Sequence, residues 1–403
     1  MTARPVLILC MAEGLTLIGV FAFPALLPDF QAEWSLSNAQ AGWIAGVYFL
    51  GYALAVPALS SLTDRIDARL VFLSGAAVCA LAAGGFALFA QGLWTAMIFR
   101  FLGGVGLAGV YMPGLKALVD RVKGPAQTRA MSYYTASFSL GTMLSFLLVG
   151  EMARHFGWQA AFAFAGFAAL AGFGLAASLA PVHPERQGEP GHLLDFRPVF
   201  RNRQAMGFIL GYVCHMWELF TFRAWMVAFL AFAQSRAGNP AGWSPTAVAT
   251  LCSGVAMAAS LTGADLALRF DRRLLCVCAM LASGGMALVL GGCLALPYGV
   301  AVAAAVIYTA LVQLDSAALT TGAMLSAEPT RRGATVALHS LLGFSSAFFG
   351  PLAQGSLLDA LGGAALIRSW VIAFAVMGGV GLLGPLALAW GRSTPLAERG
   401  ACE

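Results

Sequence analysis

Apolar residues in this chain run in long stretches separated by short polar ones, and each stretch is about as long as a bilayer is thick. A helical crossing needs roughly 20 mainly apolar residues to traverse about 30 Å of hydrocarbon. The pattern predicts twelve spans, near 5–29, 38–60, 70–90, 93–118, 131–153, 158–180, 205–232, 245–267, 274–294, 297–322, 334–357 and 369–391. The first is read as a retained helix, since it is long, carries Glu13 and has no small-residue cleavage site before Pro28-Asp29. The longest polar stretch, Pro181 to Gln204, falls at the midpoint. Its prolines and mixed charges predict a linker over 181–204 between a first half at 1–180 and a second at 205–403. An amphipathic piece around Leu193–Phe200 is expected to lie on the membrane face.

Composition sharpens this picture. Hydrophobic residues make up 60% and charged residues 10%, against about 25% charged in an ordinary soluble domain, and the mean hydropathy is +0.80. An all-α membrane protein is the expected class. The 47 glycines suit close helix packing in lipid, where small residues let backbones approach. Almost all of the eight cysteines lie in apolar runs, so no disulfide framework is expected. Cys276 and Cys278 have no partner cluster, and neither a metal nor a cofactor is expected. Of the 23 Lys and Arg, only Arg154, Arg236 and Arg368 fall in the loops of one face, and Arg100 and Arg223 lie within spans. The others gather on the face that carries both termini, which the positive-inside rule makes cytoplasmic. The net charge of +5 is therefore a topology signal and no sign of a nucleic-acid partner.

A run of charge, Ser60-Ser61-Leu62-Thr63-Asp64-Arg65-Ile66-Asp67-Ala68-Arg69, interrupts the apolar pattern after the second span. It returns in the second half as Arg269-Phe270-Asp271-Arg272-Arg273, so Arg-x-Asp-x-Arg occurs at 65, 67 and 69 and again at 269, 271 and 273. A repeat at this interval implies two similar halves rather than a solenoid. Arg100-x-x-x-Gly104-x-Gly106 in the fourth span, Arg129 with Gly141, Phe156-Gly157-Trp158, and Arg332 with Gly343 and Gly350-Pro351 add further marks. In these residues the chain resembles the major facilitator superfamily, whose loop between helices two and three reads Gly-x-Leu-x-Asp-Arg-x-Gly-Arg-Arg. Here Asp64 and Arg65 match, while Ser60 and Asp67 replace the two glycines, and Leu268 stands at the acidic place of the second copy. The proline-containing fifth-helix motif of many antiporters in that family is missing, its place reading Gly141-x-x-x-Ser145-Phe146.

The resemblance implies two pseudo-symmetric six-helix bundles around a central cavity, lined largely by helices one, four, seven and ten. It also offers a role for the loop charges. Asp64, paired with Arg65, Arg69 or Arg129, and Arg269, Arg272 and Arg273 in the second half, form either a cytoplasmic gate latch or only a marker of the membrane boundary. Ionisable groups at bilayer depth cost roughly 2.5–3.5 kcal/mol each on insertion scales and are functional candidates by default. Glu13, Arg100, His215, Glu218, Arg223, Asp315 and His339 are such groups. Tyr111 follows Arg100 and Gly104 on one face of the fourth helix. His215 and Glu218, one turn apart, are placed to interact directly, and a carboxylate beside a histidine suits proton carriage. Of Gln313 and Asp315, two apart, only one is expected to reach the cavity, and Asp315 is favoured.

The expected function is secondary transport of a small anionic or zwitterionic organic solute across the cytoplasmic membrane by alternating access, driven by protons. Proton-driven efflux of hydrophobic compounds is the close alternative, and a non-transporting sensor or assembly protein on a carrier fold is the distant one. No Gly-x-x-x-x-Gly-Lys-Ser/Thr loop is present, so ATP is not the expected fuel and no enzymatic activity is expected. The expected partners are a small-molecule substrate, protons and the lipid bilayer, with the chain acting as a monomer.

Overall fold

Apolar side chains all round each segment leave the backbone no partner but itself, so every crossing closes its hydrogen bonds internally as a helix. The computed structural model describes residues 3–124, 126–182, 195–239, 241–328 and 331–392. Ten helices among them are long and apolar enough to cross a membrane. One of these makes two crossings, and the first crossing is assembled from shorter pieces, which gives twelve in all.

Helix α1 consists of Ala3–Thr16, a 3-10 turn at Leu17–Gly19, and the short helices Ala22–Ala25 and Leu27–Glu33. Then come α2 (Asn38–Leu62), α3 (Ala68–Phe89) and α4 (Leu93–Arg121). The segment Ala126–Ala177 is broken into α5 and α6 by Gly157, whose φ of +84° only glycine adopts at little cost. The second half repeats the plan with α7 (Arg203–Ala237), α8 (Pro245–Arg269), α9 (Arg272–Gly292), α10 (Tyr298–Gln313 and Ser316–Leu325), α11 (Arg332–Ala360) and α12 (Ile367–Gly381 and Leu383–Trp390). Half of the expected linker, including Leu193, lies outside the described residues. Its last part holds a short helix, Arg197–Arg201, with Val199 buried.

The two bundles, α1–α6 and α7–α12, meet chiefly along α2 with α11 and α5 with α8. Near the face away from the termini, α2 and α11 touch backbone to backbone. A methyl group on Gly42 would stand 2.5 Å from the Pro351 carbonyl oxygen, and one on Gly46 would stand 2.5 Å from that of Phe348. Nearer the middle an aromatic layer spans the seam, with Phe49 on Phe220 at 4.5 Å and Tyr52 on Phe344 at 4.0 Å between ring centres. Towards the face carrying the termini the same two helices part, and a cavity of about 230 Å³ opens between Val56 and Ser60 of α2, Asp64 just past its end, Met112 of α4, and Val336 and Ser340 of α11. The bundles are thus sealed at one end and open at the other.

The repeated charge motif has a structural job inside each bundle. Asp67 caps α3 through the Arg69 amide at 2.9 Å, approaches Arg121 of α4 at 3.4 Å, and accepts from the Val182 amide at 2.9 Å. Arg69 reaches back to the carbonyls of Ala177 and Leu179 at the end of α6. In the second half Asp271 caps α9 through Leu274, and Arg273 donates to the carbonyls of Leu388 and Gly391 at the end of α12, at 2.7 and 3.1 Å. Each motif therefore ties its loop to the last helix of its own bundle.

Candidate functional site

Glu13 sits one turn before the end of the first piece of α1, wholly buried, and accepts a hydrogen bond from Ser137 of α5. Its other oxygen, Oε1, has no partner among the described residues. Tyr52 of α2 packs on Phe344 of α11, and Tyr212 of α7 packs on His339 of the same helix. The hydroxyl of Tyr52 is also buried and unpartnered. The lining of the open cavity includes Met112, next in sequence to Tyr111, and Ser340, next to His339.

On the second-half side, His215 Nδ1 lies 2.8 Å from Asp315 Oδ1, a pair that is ionic when the imidazole is protonated. Asp315 occupies the break between the two pieces of α10, where Leu314 and Asp315 interrupt the helix. Tyr212 stacks on His339 of α11 at 3.8 Å and lies 5.8 Å from the His215 ring. His339 Nε2 is 3.3 Å from Thr320 Oγ1, while Nδ1 has no partner among the described residues. A buried polar group without a partner costs about 1–3 kcal/mol.

The remaining charges are held apart from this cluster. Arg100 is 3% exposed, donates to the carbonyls of Gly19 and Val20 at 3.2 and 2.9 Å, and lies over the Tyr48 ring at 4.3 Å. It closes the broken part of α1, where the 3-10 turn leaves carbonyls without helical donors. Glu218 is buried inside the second bundle, accepting from Tyr308 of α10 at 3.0 Å and Ser283 of α9 at 3.1 Å. One turn apart on α7, His215 and Glu218 thus turn to different partners. Arg223 donates to Gln313 at 3.2 Å and lies 5.6–5.7 Å from the rings of Phe220 and Phe21. Tyr111 is half-buried against Phe138 at 4.9 Å.

At the open end Asp64 lines the cavity and is exposed, as are Arg65 and Arg129. Among the described residues no ion pair joins Asp64 to Arg65, Arg69 or Arg129. Arg69 and Arg273 serve the loop ties described above, and Arg269 and Arg272 flank Asp271 at the start of α9. The sequence pattern assigned no role of its own to Asp67, Tyr212, Ser283 or Tyr308. Asp67 had a readable signal, an acidic residue just before a helical run and matched by Asp271. The other three carry none, because their roles depend on which helices become neighbours.

A family model described as the Major Facilitator Superfamily matches residues 9–324. Over 152 residues the chain is 28% identical to the niacin transporter NiaP of Acinetobacter baylyi, covering 38% of this chain and 34% of that protein. Over 145 residues it is 29% identical to the putative niacin/nicotinamide transporter NiaP of Bacillus subtilis, covering 36% and 35%. The match thus spans about a third of the length of these relatives. In fold it is similar over 98% of its length to a bacterial homologue of the human lysosomal transporter Spinster in an inward-facing, unoccupied conformation, with TM-score 0.76, 16% identity and 99% of that chain covered. It is also similar to the POT family transporter PepTSo, with TM-score 0.78, 13% identity and 96% and 97% of the two chains covered.

Proposed function

Because the chain belongs to the Major Facilitator Superfamily, we propose that it is a proton-coupled secondary transporter that moves a small anionic or zwitterionic organic solute by alternating access. The bundles at 1–180 and 205–403, joined by the linker at 181–204, rock about the seam between them. Both termini face the cytoplasm, and the membrane is the bacterial cytoplasmic one. The observation that carries this reading is the asymmetry of the seam, packed backbone to backbone at Gly42 and Gly46 and open as a cavity of about 230 Å³ at Asp64 and Ser340. A carrier caught in one of its two states has this form.

The recognition and coupling groups are assigned to the cluster at the head of the cavity. Glu13 with its free oxygen and the His215–Asp315 pair are the proton carriers, and Tyr52, Tyr111, Tyr212 and His339 present hydroxyls, ring nitrogens and flat faces to the solute. Such a set suits a small planar acid, and the niacin named for two relatives is a solute of that kind. Arg100 and Glu218, committed to contacts within their own bundles, are assigned bracing roles, and Arg223 supports the seam from beyond the aromatic layer. In the open-inward state Asp64, Arg65, Arg69, Arg129, Arg269, Arg272 and Arg273 are the unlatched cytoplasmic rim.

The aromatic layer of Phe49, Tyr52, Phe220 and Phe344 favours a second reading, efflux of hydrophobic compounds. One experiment tests the first and separates the two. Proteoliposomes are given an imposed pH gradient, and uptake of radiolabelled nicotinate and benzoate is followed for the wild type, Glu13→Gln and Asp315→Asn. Gradient-driven accumulation in the wild type that is lost in both variants supports proton coupling. Equal accumulation in all three, or transport of hydrophobic dyes in place of acids, refutes it.

A further inference from the structure

The sealed end of the seam is held by a single polar device. Asp359, on the last turn of α11, accepts from the backbone amide of Asn38 at 3.1 Å, from its side-chain amide at 2.7 Å, and from the backbone amide of Ala39 at 2.8 Å. Asn38 and Ala39 are the first two residues of α2, on the other bundle. Among the described residues, the hydrogen bonds that join the two bundles all end on this one carboxylate. Around it the bundles meet through close packing, such as Gly42 on the Pro351 carbonyl and Trp43 on Phe348.

We propose that Asp359 is the latch of the gate on the face away from the termini, engaged by capping the amino end of α2 when that face is shut and released when it opens. The first amides of a helix have no partner in their own helix, and α2 fills the third of them from within, since Ser37 accepts from the Gln40 amide while Gln40 accepts from Ser37. The first two are left for a group from outside. A carboxylate meets both their hydrogen-bonding need and the positive end of a 25-residue helix. Gln31 of α1 donates to the Asn38 side-chain oxygen at 2.9 Å, which turns the Asn38 amide nitrogen towards Asp359.

Position makes this contact reversible where a buried ion pair would not be. Asp359 is exposed and Ala39 is half-buried, so when the bundles part, water takes over on both sides and no bare charge is stranded in lipid. The contact therefore holds the shut state without trapping it. Its partners are backbone amides and a neutral side chain, so its strength depends on the meeting of α2 with α11 and on no second titrating group.

The test is a distance measurement in liposomes between spin labels on the outer loops of the two bundles, at Gln91 and Ala241, in an otherwise cysteine-replaced chain. The variants are Asp359→Ala and Asp359→Asn, with Asp359→Glu as the conservative one. In the unsubstituted latch a short distance dominates. Asp359→Ala is expected to raise the longer-distance population at least tenfold, Asp359→Asn less, and Asp359→Glu to return towards the starting distribution. Melting of the same samples reports folding, so a shift with an unchanged melting profile assigns the effect to the gate. A distribution unmoved by Asp359→Ala in folded protein overturns the proposal, and so does one already dominated by long distances before substitution.

Discussion

Replacing Arg100 removes the brace on the broken part of α1, and the cost follows from three contacts. Two are hydrogen bonds from a charged donor to the carbonyls of Gly19 and Val20, at 3.2 and 2.9 Å. Each contributes about 1–2 kcal/mol after the desolvation of a buried guanidinium is set against it. The third is the Tyr48 face at 4.3 Å, worth about 1 kcal/mol at a desolvated site. Arg100→Ala is therefore expected to destabilise the protein by about 3–5 kcal/mol. Arg100→Lys, a point charge on a flexible stem that satisfies one carbonyl in place of two, is expected to lose about half of that. The assay is thermal unfolding in detergent followed by the fluorescence of the native tryptophans, with solute uptake measured on the same preparations. If Arg100 is a brace, loss of uptake tracks loss of folded protein, and the lysine variant recovers both in part. An alanine variant that melts with the wild type but fails to couple uptake to the pH gradient would refute the reasoning and return Arg100 to the proton path.

Three further outcomes follow from the packing. Gly46→Leu places its side chain against the Phe348 carbonyl, where even a methyl carbon comes to 2.5 Å; overpacking of about 1–3 kcal/mol should lift the outer-loop spin-label distance or lower the melting temperature, and neither change would contradict the backbone contact. Arg69→Ala and Arg273→Ala each remove two carbonyl contacts from equivalent loops, so both should cost about 1–3 kcal/mol in melting experiments, and a neutral Arg273→Ala beside a costly Arg69→Ala would break their equivalence. Tyr308→Phe leaves Glu218 with Ser283 alone and should cost about 1–2 kcal/mol, whereas Glu218→Gln keeps one oxygen to accept from Tyr308 and can donate its amide N–H to the Ser283 hydroxyl, which has the Met280 carbonyl as its own acceptor, and should remain folded; the reverse order would remove the bracing role.

The number and order of crossings were legible because a bilayer imposes one length scale on every helix, and the bend before Trp158 was legible because Gly157 punctuates the run. The breaks in α1 and α10 were not. Pro24, which has no amide to reach the Val20 carbonyl, stands just past the first break, and Gln313 to Ser316 make the second a polar stretch, yet only the contacts of Arg100 and Asp315 show that the helix is interrupted there and how the interruption is tolerated. Candidate charges were legible for the same reason as the spans, since each is conspicuous in lipid. Their partners were not. His215 lies against Asp315 on α10, and Glu218 accepts from Ser283 and Tyr308; these partners come from neighbouring helices, which spacing along α7 does not reveal. Asp64 drew attention as the family's loop acid, while Asp67 became the hub of the first bundle through its place at the start of α3.

The paired loop ties at Arg69 and Arg273 decide what can move. With the third and sixth helices of the first half stapled to one corner, and the ninth and twelfth likewise in the second, neither half can flex cheaply at that rim. Each behaves as a stiff shell. On the proposed rocking, whatever energy separates the two orientations would then reside in the thin strip where the shells face one another, and substitutions there would change how often the molecule turns over, while those in the loops would change how long it survives.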